Sequence, residues 1–139
     1  MTMTVKTPWH LWVVGGLGVL WNGFGATDFT LSLLARDAWF AALKVPAEVA
    51  AQVAGLPGWM WVVWMLGVYG GLAGAVSLLL RRKLAVPAFA VSLFGAAVSA
   101  FHGYALSGEP PQPLPGIIAV LAGLQLWYAH VQTKKGVLR

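Results

Sequence analysis

The chain has no cysteine and only four acidic residues among its 139, so charge of negative sign is scarce. Without thiols it can form no disulfide, no cysteine nucleophile and no cysteine-based metal site. Charged residues make up 9% of the sequence and hydrophobic residues 59%, so the polar surface expected of a soluble domain of this size is missing. The composition therefore predicts an integral membrane protein.

Catalytic motifs are lacking as well. No H-E-x-x-H, G-x-S-x-G, P-loop or G-x-G-x-x-G pattern occurs in the sequence. Of the four acids only Asp28 is expected within the membrane, so a general acid and base pair is hard to assemble. His10, His102 and His130 fall on different predicted helices, which does not favour a metal site. We therefore expect no enzymatic activity, no cofactor and no metal.

Four long apolar runs predict an all-α bundle of four membrane-spanning helices. A helix rises about 1.5 Å per residue, so about 20 apolar residues cross a hydrocarbon core of about 30 Å. The predicted spans cover residues 9–34, 57–80, 84–106 and 115–131, within a single transmembrane domain of residues 1–139. For the first run, a signal peptide cleaved near residues 25–26 is the alternative, although the apolar character continues beyond that point.

A basic triplet, Arg81, Arg82 and Lys83, separates the second run from the third. Arginine and lysine cost about 2.5–3.5 kcal/mol each at the centre of a span, so the triplet belongs in an aqueous turn, which the positive-inside rule makes cytoplasmic. Four spans then place both termini in the cytoplasm. This bias also accounts for the net charge of +5, so the expected partner is membrane lipid and not nucleic acid.

The first outer loop, residues 35–56, contains signals for a short helix. Pro46 and Glu48 favour a helix start, and Gly55 followed by Pro57 favours a helix end. The apolar and aromatic side chains of this loop indicate that the helix lies on the membrane surface.

Glycines recur at helical spacing in the first three runs and predict close helix contacts. Small residues let helices approach each other in lipid, where packing drives association. In the third run Gly95 shares a face with Ser92, Ser99 and His102, and this face should point inward. The predicted packing positions are Gly15, Gly18, Gly25, Gly67, Gly70, Gly71, Gly74 and Gly95.

Polar side chains within the runs are candidate binding residues, because they are costly in lipid and usually face the bundle interior, water or a partner. Asp28 and His102 are expected at one depth and could pair; alternatively, Asp28 lies in the outer headgroup region. Asn22 lies on a glycine face, and Gln125 is its one candidate amide partner at similar depth. The candidate set is Trp21, Asn22, Asp28, Tyr69, His102 and Gln125, of which Trp21 could instead face lipid.

Residues 21–29, with the sequence WNGFGATDF, resemble the W-N-x-x-G-x-x-D-[YF] signature of a family of small, uncharacterised four-span bacterial inner-membrane proteins. The tryptophan cluster at 59–64, the turn at 81–87 and residues 135–139 extend the resemblance over the length of the chain. At residues 101–104 the chain departs from the family pattern, since an asparagine expected near the tyrosine is missing. The resemblance implies a multi-pass protein of a bacterial inner membrane, and the sugar-transporter label that members often carry implies little about substrate.

Two functions are compatible with these residues. The first is a non-enzymatic membrane protein that acts through helix association, as a homo-oligomer or as an accessory subunit of a membrane complex. The alternative is a small-solute or proton-coupled transporter with a polar path near Asn22, Asp28 and His102. A water-accessible cavity connecting these side chains would favour transport, and a dry, closely packed bundle with an exposed glycine groove would favour association.

Overall fold

A computed structural model describes residues 4–139, and all of the regular elements within this range are helical. The elements are α1 (Trp9–Leu34), α2 (Arg36–Ala42), α3 (Ala47–Ala54), α4 (Gly58–Leu79), α5 (Ala85–Phe101), a π-helical turn (His102–Leu106) and α6 (Pro113–Lys134). The predicted all-α class is confirmed. The first loop contains the expected short helix as α3, and also α2, which is not among the predicted elements.

Of the helices in the described part of the chain, three are long and apolar enough to cross a membrane. They are α4, α5 together with the π-helical turn, and α6, with 22 residues each, or about 33 Å. α1 is longer, at 26 residues, but is not one of the three. Polar residues such as Asn22 and Asp28 interrupt its apolar sequence.

The last helix is longer than the predicted span of residues 115–131. Pro113 stands in the first turn of α6, where the missing N–H costs no hydrogen bond, so the helix starts earlier than predicted. At its other end the helix continues to Lys134. The two added stretches make α6 as long as α4, so it is not the shortest span.

α1 lies antiparallel to α4 along nearly the full length of α4. Small residues on α1 make this possible, since they bring the two helices together. Successive neighbours along the pair are Gly15 and Leu79, Gly18 and Ala75, Gly25 and Val68, and Phe29 and Trp64. α4 in turn packs against α5, and α5 against α6.

The closest approach in the bundle is between α4 and α5 at two glycines. A β-carbon added to Gly95 would lie 2.7 Å from the backbone nitrogen of Gly67 and 2.8 Å from the carbonyl oxygen of Val63. One turn away, a β-carbon on Gly70 would lie 3.1 Å from the backbone nitrogen of Ser92. All eight glycines predicted as packing positions lie against other residues of this chain. Their faces are therefore occupied inside the bundle, and these eight glycines do not form the exposed groove that was expected to favour association.

The turn between α4 and α5 forms one end of the bundle, called the basic end below; the opposite end is called the far end. Arg81 has a φ of 54° in this turn, and its Nη1 donates a hydrogen bond of 3.0 Å to the Thr7 hydroxyl. The backbone of Arg139 donates to the Arg81 carbonyl at 2.8 Å and accepts from the Lys83 N–H at 2.9 Å. The segments before α1 and after α6 thus lie together at the basic end.

The residues after α6 fold back into the bundle and complete its core. Gly136, with a φ of 74°, reverses the chain, and the Val137 N–H donates to the Gln132 carbonyl at 3.0 Å. Val137 and Leu138 are then only 4% and 1% exposed. Their apolar neighbours in this core are Leu11, Ala75, Leu78, Ala85, Phe89 and Ala129.

Candidate functional site

The middle of the bundle holds an interior polar cluster made of Asn22 from α1, Ser92 from α5 and Gln125 from α6. The Asn22 Nδ2 donates to the Gly18 carbonyl at 2.8 Å and to the Gln125 Oε1 at 3.4 Å. The Ser92 hydroxyl donates to the Gly67 carbonyl at 2.7 Å. The predicted Asn22 to Gln125 contact is therefore present, and it joins α1 to α6.

A glycine on α4 makes room for this cluster. A β-carbon at Gly71 would overlap the Asn22 amide and would lie 3.0 Å from the Ser92 hydroxyl oxygen. Asn22 is 7% exposed and Ser92 4%. Asn22 and Ser92 are thus enclosed between helices, Gln125 is half-buried, and the cluster is hydrogen-bonded within the chain, which is how membrane proteins hold their helices together.

Asp28 lies at the far end, where it holds α2 against α1. Its Oδ1 accepts a hydrogen bond of 2.7 Å from the Trp39 indole N–H. The ring of His102 instead packs edge-on against Trp59, with centroids 5.6 Å apart. The possible pairing of Asp28 with His102 is therefore not what the structure shows, because each side chain has a different aromatic partner. The alternative, a position of Asp28 in the outer headgroup region, stays a prediction.

His102 borders a far-end cleft of about 690 Å³ between α3 and the loop that precedes α6. The Tyr104 hydroxyl fixes that loop, since it donates to the Gln112 carbonyl at 2.7 Å and accepts from the Gly116 N–H at 3.1 Å. Carboxylate side chains at the rim come from Glu48 and Glu109, both exposed. Within residues 4–139 no three acidic or histidine side chains converge in a way that could hold a metal ion.

The remaining two candidates lie on the outer surface of the bundle. The Tyr69 hydroxyl is 2.5 Å from the Thr30 hydroxyl, in an apolar groove between α1 and α4. Trp21 is 41% exposed and lies on the outside of α1, in agreement with a lipid-facing role. Of the six candidates, only Asn22 and Gln125 come together, so the set does not form one continuous site.

Sequence patterns did not indicate several residues that complete these contacts. Trp39 lies in a loop of amphipathic character, and no periodicity connects it to Asp28 on the preceding helix. The π-helical turn was also not predicted from the sequence, because a π turn differs from an α turn only by one added residue. There the Ser107 N–H donates to the His102 carbonyl at 2.9 Å. Of these residues, Thr30 is the one that the sequence could have indicated, because it lies two residues beyond Asp28 on the same helix.

Comparisons of the chain with protein-family models, with curated proteins and with solved structures give no match.

Proposed function

We propose that the chain is a non-enzymatic, four-span protein of a bacterial inner membrane that acts by associating with other membrane proteins. It would do so as a homo-oligomer or as an accessory subunit. The resemblance of residues 21–29 to a family of four-span inner-membrane proteins is part of this proposal. The packing of α1, the distribution of charge and the closed interior support it.

A fourth span is supported by the position of α1. Because α1 runs antiparallel to α4 over nearly all of its length, it passes through the same layer as α4. Its amide, Asn22, is buried, whereas Leu17, Leu20 and Phe24 are exposed on the outside. This is the arrangement expected of a helix that faces lipid on one side and the bundle on the other.

Charge supports a cytoplasmic position for the basic end. All lysines and arginines except Arg36 and Lys44 belong to segments at the basic end, and all four acids lie towards the far end. Positive charge near short cytoplasmic loops is the main determinant of membrane orientation. Both terminal segments of the chain would then be cytoplasmic.

Labelling of single cysteines tests this topology, and the chain suits the method because it has none of its own. We expect E109C to react with a membrane-impermeant maleimide in intact cells, and R82C to react only after the membrane is permeabilised. Labelling of R82C in intact cells would contradict the proposed orientation. Each variant is its own control before and after permeabilisation.

The observation that favours association over transport is the closed interior polar cluster. Asn22 and Ser92 are almost fully buried and donate to groups of the same chain. The two clefts described above lie at the surface and are lined by different residues. A transport path would need polar groups in one connected cavity, and the candidates here are separated.

Of α4, α5 and α6, α6 is the least covered by the rest of the protein. Only 11% of its apolar stretch is buried inside the protein, against 28% for α4 and for α5. Four large exposed side chains follow one another at spacings of three, four and three residues, so they form one apolar stripe. The stripe consists of Ile117, Val120, Leu124 and Trp127.

Cross-linking in native membranes tests this function. With a maleimide–benzophenone reagent attached to the cysteine and activated by light, we expect V120C, in the stripe, to give a covalent product, whereas L20C, which is exposed on α1, should stay at the monomer mass of 14.8 kDa. A product of twice that mass would indicate a homo-oligomer, and any other mass an accessory subunit. If neither variant is cross-linked, or both are to the same extent, the proposed association is wrong.

A further inference from the structure

The groove between α1 and α4 is a second feature of the outer surface, distinct from the stripe on α6. It encloses about 500 Å³, within the range of about 300–1,000 Å³ typical of small-ligand sites. Apolar side chains line it, among them Leu33, Leu34 and Met65. Val91 of α5 also lines it. The only polar side chains in its wall are the paired hydroxyls of Thr30 and Tyr69.

A cation lies beside the far-end opening of this groove. Arg36 follows Leu34 by two residues, and its guanidinium carbon is 5.4 Å from the centre of the Trp61 ring. Trp61 lies one turn before Met65 and packs against Phe29, with ring centroids 6.0 Å apart. Arg36 thus lies over Trp61, and two residues next to Trp61, Phe29 and Met65, belong to the groove wall.

The guanidinium retains unused donors. Its Nε donates to the Ser32 carbonyl at 3.3 Å, and no carboxylate of the described residues accepts a hydrogen bond from it. The carboxylate of Asp28 is engaged by Trp39 instead. A planar guanidinium held over an aromatic ring at cation–π distance, with terminal N–H groups that donate to no carboxylate of the described residues, suits a phosphate.

The order of these groups, from the far end of the bundle towards the basic end, matches one kind of molecule. Arg36 lies just beyond the far end of α1, which ends at Leu34, and the apolar wall of the groove includes Leu34 and Val91. A glycerophospholipid presents the same order: an anionic phosphate, then an acyl chain.

We propose that this groove binds one acyl chain of an anionic glycerophospholipid whose phosphate pairs with Arg36. The inference depends on the membrane-embedded arrangement proposed above, but not on association through α6. The lipid belongs to the leaflet at the far end of the bundle. Because the groove lies on the outer surface of the bundle, the lipid reaches it directly from the bilayer without passing through the protein.

Lipid binding to the purified monomer can be measured by mass spectrometry of intact complexes. The probes are phosphatidylglycerol and, as the control without a phosphate, diacylglycerol with identical acyl chains. We expect the wild type to prefer phosphatidylglycerol by about tenfold, the factor that one charge-assisted contact provides. R36Q should lose this preference, R36K should keep part of it, and K44Q, which removes the other far-end cation, should leave it unchanged. Equal binding of both lipids by the wild type, or equal behaviour of R36Q and K44Q, would overturn the proposal.

Filling the groove tests the acyl-chain part of the proposal. L33W should weaken the binding of both lipids, whereas L17W, an exposed position on the same helix away from the groove, should not. Glycerol phosphate, which has no acyl chain, should not displace the bound lipid. If L33W and L17W behave alike, or if glycerol phosphate competes as well as the lipid, the groove is not the site. Thermal unfolding of each variant shows that it is folded, and because binding is read on the monomer, the result is independent of cross-linking at α6.

Discussion

Replacing Gly95 with leucine is expected to prevent α4 and α5 from packing and to lower the free energy of unfolding by more than about 3 kcal/mol, the upper part of the range for overpacking. The reason is that even the first added carbon would lie 2.7 Å from the Gly67 nitrogen and 2.8 Å from the Val63 carbonyl oxygen. These are backbone atoms of a helix, which cannot rotate away as a side chain can. Gly95→Ala, with one methyl group, should already lower stability by about 1–3 kcal/mol.

A glycine with open surroundings provides the matched control. No atom lies within 4 Å of a β-carbon built at Gly16 in α1. Gly16→Ala should therefore be neutral or stabilise the protein by up to about 1 kcal/mol through higher helix propensity. The measurement is the melting temperature of each purified variant in the same detergent. Equal melting temperatures for Gly95→Ala and Gly16→Ala would show that the α4 to α5 contact is not as close as described.

Replacing Leu138 with alanine is expected to have the second large effect, a loss of about 2–5 kcal/mol, as for other buried leucines. Leu138 is 1% exposed and belongs to the same apolar core as Leu11, Leu78 and Phe89. Removing its side chain would leave a cavity between the ends of several helices. The C-terminal segment would then lose most of what holds it against the bundle.

A variant of the neighbouring residue, Arg139, distinguishes the loss of the buried Leu138 side chain from a general effect of changing the C-terminal segment. Arg139 contacts the turn at residues 81–83 through its backbone N–H and carbonyl, both of which remain in Arg139→Ala. Its side chain is exposed, so this variant should differ from the wild type by no more than about 0.5 kcal/mol. Thermal unfolding in detergent compares the two. If Arg139→Ala is as destabilising as Leu138→Ala, burial of Leu138 is not the cause.

The positions of the main helices follow from sequence because each depends on local composition. Apolar runs between prolines, glycines and charged turns are long enough to fix α4 and α5 to within a few residues. Asn22 and Gln125 could be matched from the sequence for the same reason: in antiparallel helices, the residue number gives the position of a side chain along the length of the bundle. Glycine spacing likewise indicates which helix faces form contacts.

Depth alone does not identify neighbours, and this explains the Asp28 and His102 result. Two residues at one height meet only if their helices are adjacent and their side chains turn towards each other. α1 packs on α4, and α4 separates it from much of α5. Asp28 is instead reached by Trp39, because α2 folds back at Ala35, where φ is −144° and ψ 43°.

The C-terminal tail illustrates a similar limit. Its charges, Lys134, Lys135 and Arg139, indicate a cytoplasmic segment in water, and nothing in the spacing reveals that two residues among them are buried. Burial requires the positive φ of Gly136 and a space at the basic end that α1, α4 and α5 leave open together. The space exists only once those helices have assembled.

By itself, then, the sequence determined that this protein is helical and suited to lipid, because hydrophobicity, helix length and charge are local properties of the chain. Tertiary structure alone decided which side chains meet: Trp39 with Asp28, Leu138 with the core, and Arg36 with the ring beside the groove. Such contacts depend on how helices rotate about their axes and where loops return, and these are settled by packing between distant parts of the chain.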